Sequence, residues 1–170
     1  MTTITEIGHA QFNLLMKNKQ FKQHVIKEQD NVISALFISL LTIPTQEHTE
    51  FIKGIVQLRN KYFIYCDSGN VLLITKDFKG MIKFNIRKPN ELFKSHFNDN
   101  WMIEIDNLNS IKRGNGKQLL KDVLGIASKI NVEVCLWTEN DRNTNYFDNY
   151  GFSSVGKIGR NNENLMIKRK

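Results

Sequence analysis

One stretch restricts what this chain can fold into more than any other: WMIEIDNLNSIKRGNGKQLLKDVLGIA, residues 101–127. Residues 101–108 are mainly apolar, with Glu104, Asp106 and Asn107 interleaved, the pattern of a buried strand that presents a few polar groups at a site. Arg113, Gly114, Asn115 and Gly116 then form a basic glycine loop. From Lys117 onward, apolar residues recur at Leu119, Leu120, Val123, Leu124 and Ala127, which is one face of a helix. A Cβ at the glycines would hinder the approach of an anion to backbone N–H groups. The first turn of the helix offers unpaired N–H donors and a partial positive charge. Together these features make a phosphate or pyrophosphate cradle, ringed by the mobile cations Lys112, Arg113, Lys117 and Lys121. The plain alternative is a strand-to-helix turn with a solvated basic face, and on this stretch alone the two readings weigh equally. The spacing does not match GxxxxGK[ST], nor does it supply the third glycine and downstream acidic residue of a dinucleotide fold.

The rest of the chain follows around this unit. Residues 3–7 are expected as a short strand and 10–28 as an amphipathic helix, with Phe12, Leu15, Met16 and Val25 on its apolar face. Residues 32–43 form an apolar run limited by Pro44, read as a buried helix although a strand fits so short a run equally well. Thr45 is expected to cap a helix carrying Phe51, Ile52, Ile55, Val56 and Leu58. Residues 62–66 and 71–75 are strands joined by the turn-rich 67–70 segment, and 81–86 is a third antiparallel strand. A polar stretch over 87–100 holds at most one helical turn near Leu92. After the central helix come a buried strand at 132–138, a short helix at 143–150, and a closing hairpin formed by 152–158 and 165–168. Strand, helix and strand in series imply a right-handed parallel crossover. The fold class is therefore mixed α/β: antiparallel strands first, one βαβ crossover, and a C-terminal hairpin.

At 170 residues the chain is long enough for one cored domain over 1–170. Its net charge of +7 suits an anionic partner. Cys66 and Cys135 show no CxxC or metal spacing and sit in apolar runs, which predicts buried reduced thiols. Residues 1–6 lack the basic start and apolar core of a leader, and the 32–43 run is too short to span a bilayer. A cytoplasmic protein is expected. His9, His24, His48 and His96 have no spaced partners, so no metal is expected. Nucleic acid is an unlikely partner, because helix-turn-helix, RNP-like and zinc patterns are all missing.

The 113–118 segment resembles the acetyl-CoA pyrophosphate signature of the GNAT superfamily of N-acetyltransferases, (Gln/Arg)-x-x-Gly-x-(Gly/Ala). Arg113 matches the first position and Gly116 the invariant glycine, while Gln118 replaces the small final residue. Residues 140–152 resemble a second family segment, Asn-x-x-Ala-x-x-x-Tyr-x-x-x-Gly-Phe. Asn140, Gly151 and Phe152 fall on its landmarks, Asn143 replaces the alanine and Phe147 replaces the tyrosine.

The resemblance covers residues 101 to about 158 and implies a GNAT-like central mixed sheet, acetyl-CoA as co-substrate, and an acceptor amine on a small molecule or peptide. It implies that the backbone of Gly114, Asn115, Gly116 and Lys117 holds the pyrophosphate, reinforced by Arg113. Pantetheine would pair with the Leu108 backbone where the sheet splays, meeting Asn140 and Phe147. Glu104 would be the general base, since the amine must lose a proton; Asp106 shares its side of the strand, and the plain alternative for both, equal in weight for Glu104 and favoured for Asp106, is a partly solvated strand residue or an anchor for a basic side chain. Phe147 stands where the family has the proton donor for the departing thiolate; its neighbours Tyr146 and Tyr150 could substitute only if the helix is rotated or displaced, and the favoured alternative is that they are packing residues, Tyr146 being the candidate carried forward. A thiolate can also depart without an acid, because a thiol is already fairly acidic. The departures at Phe147 and Gln118 keep open a module that binds acyl-CoA without efficient transfer. Trp137 is expected near the end of its strand, on the face opposite Val134 and Leu136.

Overall fold

The computed structural model describes residues 4–42 and 45–170, with side chains from Gly8 onward. Four helices come first: α1 (Ile4–Lys17), α2 (Lys19–Lys27), α3 (Gln29–Ser39) and α4 (Gln46–Gln57). Three strands follow, β1 (Tyr62–Asp67), β2 (Asn70–Thr75) and β3 (Gly80–Arg87), and a 3-10 turn at Lys94–His96. The second half is β4 (Met102–Ser110), α5 (Asn115–Ile130), β5 (Glu133–Thr138), α6 (Asp141–Asp148), β6 (Ser153–Lys157) and β7 (Asn164–Lys168). The strands form one sheet in the order β1-β2-β3-β4-β5-β7-β6. Every neighbouring pair is antiparallel except β4 and β5, which run parallel across the α5 crossover. This is the mixed fold expected from the order of sequence patterns.

Both faces of the sheet are used. On one, α4 and α5 bury Ile55, Leu119, Leu120 and Val123 against Ile64, Leu73, Ile82, Phe84, Ile103 and Ile105. Removing each such side chain from water is worth about 1.5–3 kcal/mol. The two helices approach closely at Gly54, where an added Cβ would lie 3.1 Å from Ile126. On the other face, α1 and α2 cover the first three strands, packing Phe12, Met16 and Val25 on Leu72, Ile74, Phe78 and Met81, and α1 reaches the far end of β4, where His9 hydrogen-bonds Asn109 at 3.1 Å. From the start of β4 onward that face carries a smaller cluster of Met102, Cys135, Leu165 and Ile167, with Phe97 and Trp137 against it. This asymmetry leaves room for a cavity.

Several expectations in the first half are corrected. The strand at 3–7 is not formed: Ile4 to Ile7 begin α1, and Thr3 lies outside the described residues. The outer edge of β1 shows one reason. The Gln29 amide donates to the Ile64 carbonyl at 2.8 Å and accepts from the Ile64 N–H at 2.8 Å, so a side chain has taken the bonds an added strand would need there. The single helix over 10–28 is two, because Asn18 adopts an extended conformation and its side chain accepts from the Phe21 N–H at 3.0 Å, starting α2 afresh.

The run at 32–43 is helical through Ser39, but it is not a buried helix. Leu36 is buried, with Val32, Ile33 and Leu40 packed beside it, while Phe37, Ile38 and Leu41 are exposed. The main face is already filled by α4 and α5, so α3 lies at the β1 margin with one stripe inward. Ile43 and Pro44 lie outside the described residues. Cys66 is exposed at the end of β1, next to the hairpin turn, rather than buried; Cys135 is buried as expected. The turn expected near Leu92 forms slightly later, at Lys94–His96. Thr45 caps α4 as expected, accepting from the His48 N–H at 3.3 Å.

Candidate functional site

The site is built where β4 and β5 part. They pair at Met102 with Glu133, Ile103 with Val134, and Glu104 with Cys135, and no further. Beyond Glu104, β4 continues to Ser110 on β3 alone, so its β5-facing edge has no strand partner. A bulge adds to the divergence: Phe84 pairs with Ile105 and Lys83 with Asn107, leaving Asp106 as the extra residue. A cavity of about 730 Å³ fills the fork. Glu104, Leu108, Gly116, Tyr146 and Phe147 line it, so five of the expected site residues converge on one space.

The glycine loop sits at the head of this cavity. Gly114 has φ +93°, a left-handed conformation that glycine adopts without strain, and it starts α5 without a side-chain cap. The Asn115 N–H donates to the Lys112 carbonyl at 3.2 Å, while the next N–H groups of the first turn of α5, those of Gly116 and Lys117, have no acceptor four residues back within the helix. A Cβ on Gly116 would meet only Ser110, at an ordinary 3.5 Å, so protein packing does not demand glycine there. What a side chain at 116 would fill is cavity space. Arg113 and Lys117 are exposed, free to swing toward an anion. Gln118 turns away and hydrogen-bonds Asp122 at 3.3 Å.

The footing of the loop was not legible in the sequence. Asp77, in the turn between β2 and β3, accepts from Asn115 at 3.3 Å and pairs with Lys112 at 3.3 Å. Ile111 N–H donates to the Lys79 carbonyl at 2.9 Å. Burial pushes the Asp77 carboxyl up, but hydrogen bonds from Thr75, the Lys79 N–H, Lys112 and Asn115 outweigh it and hold the group at about 2. Lys112, expected as a mobile cation, is thus part of the loop's anchor.

Glu104 stands at the fork. It is ion-paired with Arg87 and hydrogen-bonded to Trp137. Burial raises its pKa, and Arg87 only partly reverses that; nearby Asp106 adds to the rise. The net direction, upward, suits a proton acceptor near neutral pH. Asp106 is exposed and bridges to Lys83 at 3.5 Å, the structural role favoured for it. Trp137 lies where expected, packed on the face of Met102 and Cys135, while Val134 and Leu136 point into the main core.

On α6, the rings of Tyr146 and Phe147 meet edge to face at 5.1 Å, and Phe147 packs on Phe152 at 5.7 Å. Burial, then a hydrogen bond with Tyr150, raises the Tyr146 hydroxyl well above the usual tyrosine range, so it stays protonated. Asn140 caps α6, its side chain accepting from the Asn143 N–H at 2.9 Å; Asn143, not Asn140, lines the cavity. Among the described residues, no group of three or more His, Cys, Asp or Glu is placed to hold a metal ion, and no helix is long and apolar enough to cross a membrane.

No family model and no curated protein matches the sequence. Solved structures do resemble it. A protein of Pyrococcus horikoshii is 20% identical, with a TM-score of 0.47 over 85% of this chain and 91% of that one. The Corynebacterium glutamicum histone acetyltransferase HPA2 and related acetyltransferase is 14% identical, with a TM-score of 0.45 over 84% and 91%. The Bacillus subtilis N-acetyltransferase YlbP, solved with coenzyme A, is 14% identical, with a TM-score of 0.43 over 61% and 68%. The chain has the mixed sheet with one parallel step, and the strands that part after Glu104, that were expected of it.

Proposed function

We propose that this chain transfers an acetyl group from acetyl-CoA to the nitrogen of a primary amine. The observation that carries the reading is the end of β4–β5 pairing at Glu104 and Cys135, beside a glycine loop that opens a helix into the same cavity. An unpaired strand edge offers backbone groups to an extended amide such as pantetheine. Helix N-terminal amides and Arg113 suit its pyrophosphate. In the step, Glu104 accepts a proton from the incoming ammonium, directly or through water. The nitrogen lone pair then forms a bond to the thioester carbonyl carbon, the C–S bond breaks, the nitrogen loses its second proton to water to leave the neutral amide, and CoA departs as a thiolate. Tyr146 or water supplies its proton. Phe147 has no proton to give and instead walls the cavity beside Tyr146.

A second reading draws on the Arg87–Glu104 ion pair, which occupies the base. If that pair persists with ligand bound, the protein holds acyl-CoA and transfers slowly. Mass spectrometry of the purified protein for co-purified CoA, followed by thiol release from acetyl-CoA over an amine panel, separates the readings. Binding with amine-dependent release supports transfer; binding without release supports the module; absence of binding rejects both.

A further inference from the structure

Glu104 and the glycine loop lie on opposite faces of the sheet. Side chains alternate along a strand. Ile103, Ile105, Val134 and Leu136 belong to the main core, while Met102 and Cys135 belong to the smaller cluster on the other face. Glu104 comes two residues after Met102 and Trp137 two residues after Cys135, so both point away from the main core. Their mutual hydrogen bond agrees with that shared side. The α5 helix and Phe147 pack on the main core instead. The cavity is lined by residues of both sets, Glu104 and Trp137 with Gly116 and Phe147, and so passes through the fork from one face to the other. A thioester anchored at the glycine loop reaches the fork from the α5 side. A nucleophile that gives its proton to Glu104 reaches it from the opposite side.

On that opposite side the two flanks of Glu104 differ. Toward β3 they are charged: Arg87 pairs with Glu104, and Lys83 with Asp106 at 3.5 Å. Toward β5 they are apolar. The half-buried rings of Phe93 and Trp137 meet edge to face at 5.1 Å, and Leu92 beside them is 72% exposed. All three line the cavity. The segment that carries Leu92 is tied down. The Leu92 N–H donates to the Asn90 side chain at 3.0 Å and the Phe93 N–H to the Asn90 carbonyl at 2.9 Å. Further along, the Asn98 N–H donates at 2.8 Å to Glu133, which is buried. A large apolar side chain held in the open beside an aromatic pair is surface that a ligand would cover. Trp137 belongs to this wall and, through its hydrogen bond, to the base. A molecule whose nitrogen meets Glu104 therefore has its nearest carbons against the wall.

We infer that the acceptor bears an aromatic or bulky aliphatic group close to its amine nitrogen, and that this group lies on Leu92, Phe93 and Trp137. The inference rests on the acyl-transfer reading of the same site. The group can belong to an arylalkylamine or to the first side chain of a peptide; the chemistry recognised is the same, and the test separates the two sources.

The test is steady-state CoA release by the full chain with acetyl-CoA and two matched pairs of acceptors: 2-phenylethylamine against ethanolamine, and the tripeptide Phe-Gly-Gly against Gly-Gly-Gly. The apolar member is expected to exceed its partner in kcat/KM by about tenfold or more, the discrimination typical of a hydrophobic subsite, and the pair that turns over identifies the source. Leu92→Ser, a change at an exposed position, should bring that ratio down toward one through KM. A ratio of one in both pairs, or an unchanged ratio in folded Leu92→Ser, overturns the inference while leaving transfer standing. So does a Leu92→Ser variant that alters the preference among acetyl-, butyryl- and octanoyl-CoA but not the amine ratio, because the wall then receives the acyl chain. If no amine drives release, the transfer reading fails, and calorimetric titration of 2-phenylethylamine in the presence of CoA decides the wall: binding weakened by Leu92→Ser supports it, and absence of binding overturns it.

Discussion

Glu104 and Cys135 are the last residues at which β4 and β5 pair, and the carboxylate at that point is held from two sides, by the Arg87 guanidinium and by Trp137. The fork and the candidate base are therefore one structural feature. A ligand that enters the fork meets Glu104 at its base.

This relationship makes Glu104→Gln the most informative single substitution. The variant keeps size and hydrogen bonding but cannot take a proton. General-base assistance is typically worth 10²–10⁴-fold, so kcat is expected to fall by about that range at neutral pH. The pH profile gives an independent check. A base works only when deprotonated, so activity is lost as pH falls through its pKa. Burial raises that pKa, so the acidic limb of kcat/KM should lie above the usual carboxylate range. Stopped assays across pH 4–8 measure it, and a limb at or below an ordinary glutamate value of about 4.3 would remove Glu104 from the role.

Gly116→Val should weaken acetyl-CoA binding by about tenfold or more, roughly 1.4 kcal/mol, without unfolding the protein. The expected split follows from geometry: a Cβ at 116 has only the ordinary 3.5 Å contact with Ser110, yet it enters the cavity. Titration calorimetry reads the affinity and thermal melting reads the fold. Equal affinities would show that the loop does not touch the cofactor.

Tyr146 and Phe147 test the departure of the thiolate. Tyr146→Phe is expected to lower kcat by less than about tenfold, because a thiolate leaves readily without an acid. Phe147→Tyr should fold and match or exceed the wild-type rate. Steady-state kinetics on an accepted amine measures both. A large loss in Tyr146→Phe with Glu104→Gln unaffected would reverse the assignment of roles.

Asp77 ties the glycine loop to the β2–β3 turn, and its depressed pKa predicts a pH-dependent contribution to stability. The folded state holds the carboxylate at about 2, against an unfolded value near 3.8. The contribution is therefore fully present above the unfolded value and is lost as pH falls from there toward 2. Urea unfolding of wild type and Asp77→Asn should differ above about pH 4 and converge below it. A gap that persists unchanged to the acid end would show that the hydrogen bonds survive protonation. Loosening the loop should also weaken acetyl-CoA binding, which calorimetry at neutral pH would detect.

The second half of the chain was legible because its signals are local. Period-two and period-3.6 patterns switch at Lys117 and again near Val132, glycine marks the turn into α5, and an apolar strand must be buried wherever the sheet lies. Those rules placed β4, α5, β5, α6 and the closing hairpin; Glu104, Leu108, Gly116, Tyr146 and Phe147, singled out by the motif resemblance, line one cavity in the folded chain. The first half was read less well because its outcome depends on competition for surface. An apolar run at 32–43 suits a buried helix, yet α4 and α5 fill the main face first and leave Phe37 and Ile38 in solvent. A short strand at the N-terminus fits local propensity, but the β1 edge is bonded to Gln29, thirty-five residues away in sequence. Pairings of that kind have no sequence period. Asp77 beneath the loop and Arg87 on Glu104 arise because segments distant in sequence share a sheet, and only the folded sheet decides which side chains its register brings together.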